Sequence, residues 1–314
     1  MEAGVYIVTG FLESGKTKFM QEMLTDDGFS EGERTLLIVC EEGEEEYDPD
    51  LLKKSNTVLV TLDSQEDLSG EKLVALDKEY QPERVLIEYN STWLMDTLYR
   101  AKKPENWELA QIITLIDATT FELYLQNMRK FMADGIQEGD LIIFNRCNAD
   151  MPKSKWRRAA LAMNNTARIF FENTDGTMDD GVADEDLPYD VKAQPVVIGD
   201  KDFGIFYLDA MEHPDRYDGK SIRFKCRAFR MQDMPKKCYV AGRHAMTCCV
   251  EDIGGIGFLM KYKAPAPATN EWFMVTAKAE AAFSPLHGRD AIVLIEEERV
   301  PAQQPEEELV YFNN

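Results

Sequence analysis

Residues 4–17 read GVYIVTGFLESGKT, a short β-branched and aromatic run followed directly by GFLESGKT. The second part fits the phosphate-binding pattern GxxxxGK[ST]. In such a loop the glycines let the backbone wrap a phosphate. Consecutive N–H groups and a helix N-terminus point at it, the lysine reaches the outer phosphates, and the hydroxyl ligates Mg²⁺. Here those parts are Gly10, Gly15, Lys16 and Thr17, and the candidate nucleotide contacts run through Gly10, Phe11, Leu12, Glu13, Ser14, Gly15, Lys16, Thr17 and Lys18. The context agrees with the pattern. After Thr17, the apolar residues Phe19, Met20, Met23 and Leu24 recur at helical spacing, so strand, loop and helix follow one another as the motif requires. Glu13 is the oddity: an acidic side chain beside phosphates must point outward or weaken binding.

The 314 residues suit two domains better than one. No stretch has the apolar length to span a bilayer, and the start runs into the first strand with no cleavable signal, so a cytoplasmic protein is expected. Six cysteines without an export signal imply reduced thiols, so closely spaced ones read first as metal ligands and isolated ones as core residues. A formal net charge of −22 repels phosphate backbones and anionic headgroups, which argues against binding nucleic acid or a membrane surface through a basic face, and the lack of a spanning stretch argues against direct membrane insertion. Cationic partners or metal ions suit it better, although acidity also serves plain solubility.

From Val5 to about Phe171, fully apolar strand runs alternate with helical segments: Val5–Thr9, Thr35–Cys40, Thr57–Leu62, Arg84–Ile87, Ile112–Ile116, Leu141–Phe144 and Ala167–Phe171. Helices are expected near Gly15–Asp26, Leu68–Tyr80, Thr92–Ala101, Thr119–Ala133 and Lys153–Met163. Strands without polar alternation are covered on both faces, which predicts an α/β fold with a mostly parallel sheet wrapped by helices. The acidic, turn-rich stretch 173–190 reads as a linker. Beyond it, strand-like runs at Pro195–Gly199, Phe203–Leu208, Ser221–Phe229, Tyr239–Cys248, Ile256–Tyr262, Trp272–Lys278 and Ala291–Glu296 predict a smaller all-β domain, a barrel or a sandwich. The expected organisation is a nucleotide-binding domain over 1–172, the linker over 173–190 and the β domain over 191–314.

Ligands of such a sheet gather at the carboxyl ends of its strands. RVLIEYNSTW places Glu88 there, the best candidate for the carboxylate that holds Mg²⁺ or its water, against the plainer reading of an acid before a helix. LLIVCEEGEEEYD carries six carboxylates within eight residues. Most belong to a solvated face, and Glu41 and Glu44 stand out as candidates for a hard cation or for sensing a γ-phosphate. GDLIIFNRCNADM offers Asn145, Arg146 and Asn148 where a guanine-reading NKxD loop would lie. Asn148 is an amide where guanine calls for a carboxylate, which predicts a loss of guanine preference.

Together, TGFLESGKT, CEEGEEEYD through Glu41, Gly43 and Glu44, IEYNSTW through Glu88, ITLIDATTF around Asp117, and FNRCN resemble the CobW-like class of P-loop GTPases over residues 4–171. The resemblance implies Mg²⁺-dependent GTP binding and slow hydrolysis, coupled in that class to delivery of a metal such as zinc, cobalt or nickel. It assigns Lys16, Thr17 and Glu88 to catalysis and Thr17, Glu41 and Glu88 to Mg²⁺. It also implies a partner, either a metal-receiving protein or a transporter. Three departures stand out: Ser91 replaces the ExxG glycine, Asn148 replaces the NKxD aspartate, and the CxCC metal motif is missing because no cysteine lies between Cys40 and Cys147. The alternative is a nucleotide-dependent switch or scaffold for a transporter that hardly hydrolyses. A small-molecule kinase is disfavoured because no second basic cluster forms a lid.

The second half has its own metal candidate in KKCYVAGRHAMTCCVEDIGG, where Cys238, His244, Cys248 and Cys249 are soft donors suited to Zn²⁺ or Cu(I). Neighbouring cysteines on a strand face opposite ways, and residues six to ten apart meet only across a turn, which Gly242 could supply. Buried small cysteines are the equal alternative. Through LPYDVKAQPV, DFGIFYLDA, PDRYDGKSIRFK and RHAMTCCVED this half is similar to the C-terminal domain of a bacterial membrane-associated, permease-linked family, a likeness that implies a transport or metal setting.

Overall fold

In the computed structural model the described residues are 2–26, 28–29, 32–41, 43–181, 187–230, 234–246, 253–263, 265 and 267–312. They form two compact units, Met1–Lys153 with Thr166–Val182 and Ser154–Asn165 with Ala183–Asn314.

The first unit is built on strands β1 (Ala3–Thr9), β2 (Thr35–Val39), β3 (Thr57–Thr61), β4 (Arg84–Glu88), β5 (Trp107–Asp117), β6 (Leu141–Cys147), β7 (Arg168–Asn173) and β8 (Met178–Asp179). Their order is β3-β2-β4-β1-β5-β6-β7-β8, parallel throughout except for the antiparallel edge strand β8. The expectation of a parallel sheet covered on both faces holds, and β2 shows why. Leu36 and Ile38 enter one core cluster with Val5, Ile7 and Leu73, while Leu37 and Val39 enter another with Val8, Met20 and Leu24. Both sets of a period-2 strand are therefore apolar. The helices of this unit are α1 (Lys16–Thr25), α2 (Pro49–Lys54), α3 (Gly70–Tyr80), α4 (Met95–Arg100), α5 (Phe121–Asn127) and α6 (Arg129–Glu138). A single helix expected over Thr119–Ala133 is two, α5 and α6, meeting at Met128, which leaves the helical region with φ −128°. The acidic stretch after Glu172 is folded at its start: β7 runs to Asn173, and β8 turns back to pair Glu172 with Met178.

The second unit contains α7 (Lys153–Met163), all of it beyond Lys153, so by packing the nucleotide-side segment 154–165 groups with the C-terminal half. It also holds β9 (Val196–Val197), α8 (Phe203–Glu212), α9 (Pro214–Tyr217), β10 (Ser221–Phe229), β11 (Cys238–Met246), β12 (Ile253–Lys261), β13 (Trp272–Ser284) and β14 (Arg289–Pro301). Five strands close on themselves in the order β10-β11-β12-β14-β13-β10, with β12 and β14 parallel and the other neighbours antiparallel. This is a five-stranded Greek-key barrel of the OB type, which decides between the two all-β expectations. The expected strand at Phe203–Leu208 is a correction, because this segment is helix α8. Eight of its ten residues are buried, and Phe203–Leu208 is an unbroken apolar run that carries no helical stripe.

At Gly242, a Cβ would come within 2.1 Å of the Ile256 carbonyl oxygen, because β11 and β12 approach closely where Gly242 faces Gly257. The residue thus lets two strands run close and supplies no turn. The C-terminal segment crosses this barrel: Val310 forms a parallel bridge to Ala245, donating to the His244 carbonyl at 2.9 Å and accepting from Met246 N–H at 3.0 Å. It covers Arg243, which is 1% exposed and donates to the carbonyls of Asp200, Glu307 and Glu308 at 2.5, 2.6 and 3.3 Å. No helix among the described residues is long and apolar enough to cross a membrane.

Candidate nucleotide site

The phosphate loop leaves β1 at Thr9 and enters α1 at Lys16, at the carboxyl edge of the sheet. Two glycines make its path feasible. A Cβ on Gly10 would lie 2.4 Å from the Leu115 carbonyl oxygen, and Gly15 caps α1 with φ +90°. Phe11 anchors the loop by stacking on Tyr124 at 4.4 Å, whereas Leu12 is half exposed. Lys16 is 4% exposed, and its ammonium donates to the carbonyls of Gly10 at 2.9 Å and Phe11 at 3.1 Å and to Glu41 Oε2 at 2.8 Å. Thr17 Oγ1 donates to Glu88 Oε1 at 3.0 Å, so the hydroxyl and the carboxylate expected to share Mg²⁺ are adjacent. Both are buried oxygen donors, the set a hard ion takes when phosphates and water complete its shell.

Glu88 ends β4, and Tyr47 closes over it with a short hydrogen bond from its hydroxyl. Burial pushes the Glu88 carboxyl above the usual carboxylate range, opposed by the Tyr47 hydrogen bond, the Lys16 charge and the Thr17 hydrogen bond. Tyr47 is itself raised by burial and then by Glu88. Cys40, just before the acidic segment, is pushed up to about 12 by burial, then by Glu88 and Glu41, so it is an inert core thiol. A cavity of about 330 Å³ opens here between Thr17, Glu41, Glu45, Glu46, Tyr47 and Glu88. Glu13 does turn away from the cradle: its Oε1 accepts from the Glu44 N–H at 3.2 Å and tethers the acidic segment to the phosphate loop. Glu44 thus contributes a backbone group, and its side chain is exposed.

On the other flank of the loop, Asn145 Nδ2 donates to the Ser14 carbonyl at 2.7 Å. Arg146, with φ +56°, donates to the Glu13 carbonyl at 2.8 Å and pairs with Asp117. Asp117 also accepts from Thr119 N–H and Oγ1 at 2.8 and 2.6 Å, which explains why that aspartate sits in ITLIDATTF. Asn148 lies apart from these groups, exposed, with its Oδ1 accepting from Asp150 N–H at 3.0 Å. A second cavity of about 350 Å³ is lined by Gly15, Lys18, Phe19, Asn145, Arg146 and the β7–β8 turn. Buried Ser14 Oγ and Asn145 Oδ1 have no hydrogen-bond partner among the described residues, as expected of polar atoms that face a ligand site.

The profile described as the CobW/HypB/UreG nucleotide-binding domain matches residues 4–171, more than half of the chain. The chain belongs to the CobW/HypB/UreG family. A second profile, the DUF1980 C-terminal domain, matches residues 175–312 of this CobW/HypB/UreG member. Zn(II)-bound YjiA GTPase from E. coli is similar in fold at 18% identity over 72% of each chain, with a TM-score of 0.43. The hydrogenase maturation factor HypB from Archaeoglobus fulgidus shares 12% identity over 55% of this chain and 82% of its own, with a TM-score of 0.39. No protein of curated function matches the chain.

The expected zinc set is not assembled among the described residues. Cys248 and Cys249 lie outside them. Cys238 and His244 sit six residues apart on the unbroken strand β11, about 20 Å by strand rise, too far to share an ion. Cys238 packs against Leu259 and Val293, and the His244 ring meets the edge of Phe229 at 5.0 Å. Among the described residues no group of three or more His, Cys, Asp or Glu side chains is arranged to hold a metal. Tyr47 and the β7–β8 turn were not anticipated from sequence. The lone aromatic closing the acidic run CEEGEEEYD was the available signal for the former, and the turn-rich NTDGT for the latter.

Proposed function

We propose that the chain is a Mg²⁺-dependent protein that binds and slowly hydrolyses GTP, and that it serves metal homeostasis or delivery. The observation that carries the reading is the buried pair Lys16 and Thr17 at the loop end, with Glu88 hydrogen-bonded across to Thr17. In this reading the N–H groups of Gly10 through Thr17 hold the phosphates, and Lys16 stabilises charge developing at the β–γ bridge. Thr17 and Glu88 would hold Mg²⁺, which when bound would supply positive charge against the phosphates. Tyr47 orients the Glu88 carboxylate and screens it from water. The metal role rests on the family and on the acidic cavity beside Thr17, and a metal-receiving protein or a transporter is the partner it calls for.

Phosphate release from GTP in Mg²⁺, with and without Zn²⁺, tests the reading. Turnover that rises with a transition metal and falls on the order of 100-fold in Lys16→Ala supports it. One observation favours a second reading, a nucleotide-dependent switch with little hydrolysis: Lys16 is already engaged by Glu41, so binding alone rearranges the acidic segment. Tight GTP binding with no phosphate release, metal or not, selects that reading.

A further inference from the structure

We propose that Glu172, at the end of β7, reads the purine and restores the guanine preference that Asn148 cannot supply. This rests on the nucleotide reading above. The two cavities flank Lys16 and Thr17, and the one beside Thr17 and Glu88 belongs to the Mg²⁺ and outer-phosphate end. The base end therefore falls to the other, of about 350 Å³, which is entered past Gly15 and the first turn of α1 at Lys18 and Phe19. That volume suits a small-molecule ligand portion.

The fold brings Glu172 there by a local irregularity. The register between β6 and β7 slips between Phe144 and Cys147, so Cys147 pairs with Asn173, and Thr174 N–H donates to the Cys147 carbonyl at 3.0 Å. The slip leaves Asn145 and Glu172 on the wall of one cavity, while Asn148 points elsewhere and folds onto its own turn. Two carboxylates line this cavity. Glu22 is exposed and faces Lys18, 3.6 Å away. Glu172 is a half-buried residue, and its carboxylate makes no hydrogen bond or ion pair among the described residues.

Guanine presents two adjacent donors, N1–H and the 2-amino group, which match the two oxygens of one carboxylate. Adenine presents an acceptor at N1, and xanthine a carbonyl in place of the 2-amino group. Both set a lone pair against Glu172. The buried Asn145 Oδ1, without a partner among the described residues, is a further acceptor on the same wall, so the cavity calls for a donor-rich base edge.

Calorimetric titration of GTP, XTP and ATP in Mg²⁺ against the unmodified 314-residue chain, Glu172→Gln and Asn148→Ala tests the assignment, with circular dichroism to confirm that each variant is folded. The unmodified chain should prefer GTP roughly tenfold or more. Glu172→Gln should reverse the order of GTP and XTP, because the amide accepts from N1–H and donates to the xanthine carbonyl. Asn148→Ala should leave the order unchanged. A chain that binds GTP but keeps its preference in Glu172→Gln, or changes it in Asn148→Ala, overturns this assignment alone. A chain that binds none of the three overturns the nucleotide reading and this assignment with it.

Discussion

Lys16 is already ion-paired within the chain. Its ammonium is 2.8 Å from Glu41, and the two side chains are 3% and 14% exposed, so a triphosphate must displace a carboxylate to reach it. A buried lysine deprived of its partner is left with an uncompensated charge, which a phosphate then satisfies. Glu41→Gln should therefore bind GTP more tightly without Mg²⁺, by roughly tenfold, and the same protein without nucleotide should melt earlier. Titration in EDTA with parallel thermal melts checks both, and weaker binding by Glu41→Gln would show that Glu41 assists rather than blocks. At this scale the sequence exposed only what is local. The phosphate loop was legible because its glycines, lysine and threonine lie within eight residues. Tyr47 was not, because Glu88, which gives it meaning, is 41 positions away and is delivered by strand order. Glu172 was missed for the same reason, since the slip between β6 and β7 that places it leaves no mark in composition.

Among elements, legibility followed the burial pattern. Apolar strands between two helical layers announced themselves, whereas α2, six residues with none buried, offered no periodicity, and α8 begins with an unbroken apolar run. The β13–β14 turn shows what an element end adds. His287 sits in it, its Nδ1 is 3.0 Å from Ser284 Oγ, and its ring lies 6.3 Å from that of Tyr207 on α8. Burial and then the charge of Arg289 hold its imidazole below the ordinary histidine value, while a hydrogen bond with the Gly257 backbone opposes them. The folded state thus keeps His287 neutral where the unfolded chain takes up a proton. Its contribution is full above about pH 6.5 and is lost as pH falls from there through the depressed folded value, at no more than about 1.4 kcal/mol per pH unit. Urea unfolding of the barrel unit between pH 7 and pH 5.5 should show this loss, and His287→Asn should flatten it. An equal slope in both proteins would assign the acid sensitivity to other groups.

At the scale of the whole molecule, the segment after β14 is part of the barrel unit. It buries Val310 and Phe312, offers two carbonyls to one nitrogen of the Arg243 guanidinium and pairs with the end of β11 that β10 leaves free. Ending the chain at Ala302 should cost about 3–5 kcal/mol from the lost apolar burial and expose a strand edge prone to self-association. Urea unfolding and light scattering check the two effects, and an unchanged midpoint would reduce the segment to a passive cover. Helix α7 carries a different consequence. The strands on either side of it, β6 and β7, belong to the first unit, yet residues 154–165 pack with the second, and Arg157 pairs there with Glu212. Proteolysis in the acidic stretch would therefore release no pair of independent halves. The N-terminal fragment would keep a helix from the other fragment's core, so the nicked protein should stay dovetailed, and neither half can be moved between proteins as a cassette.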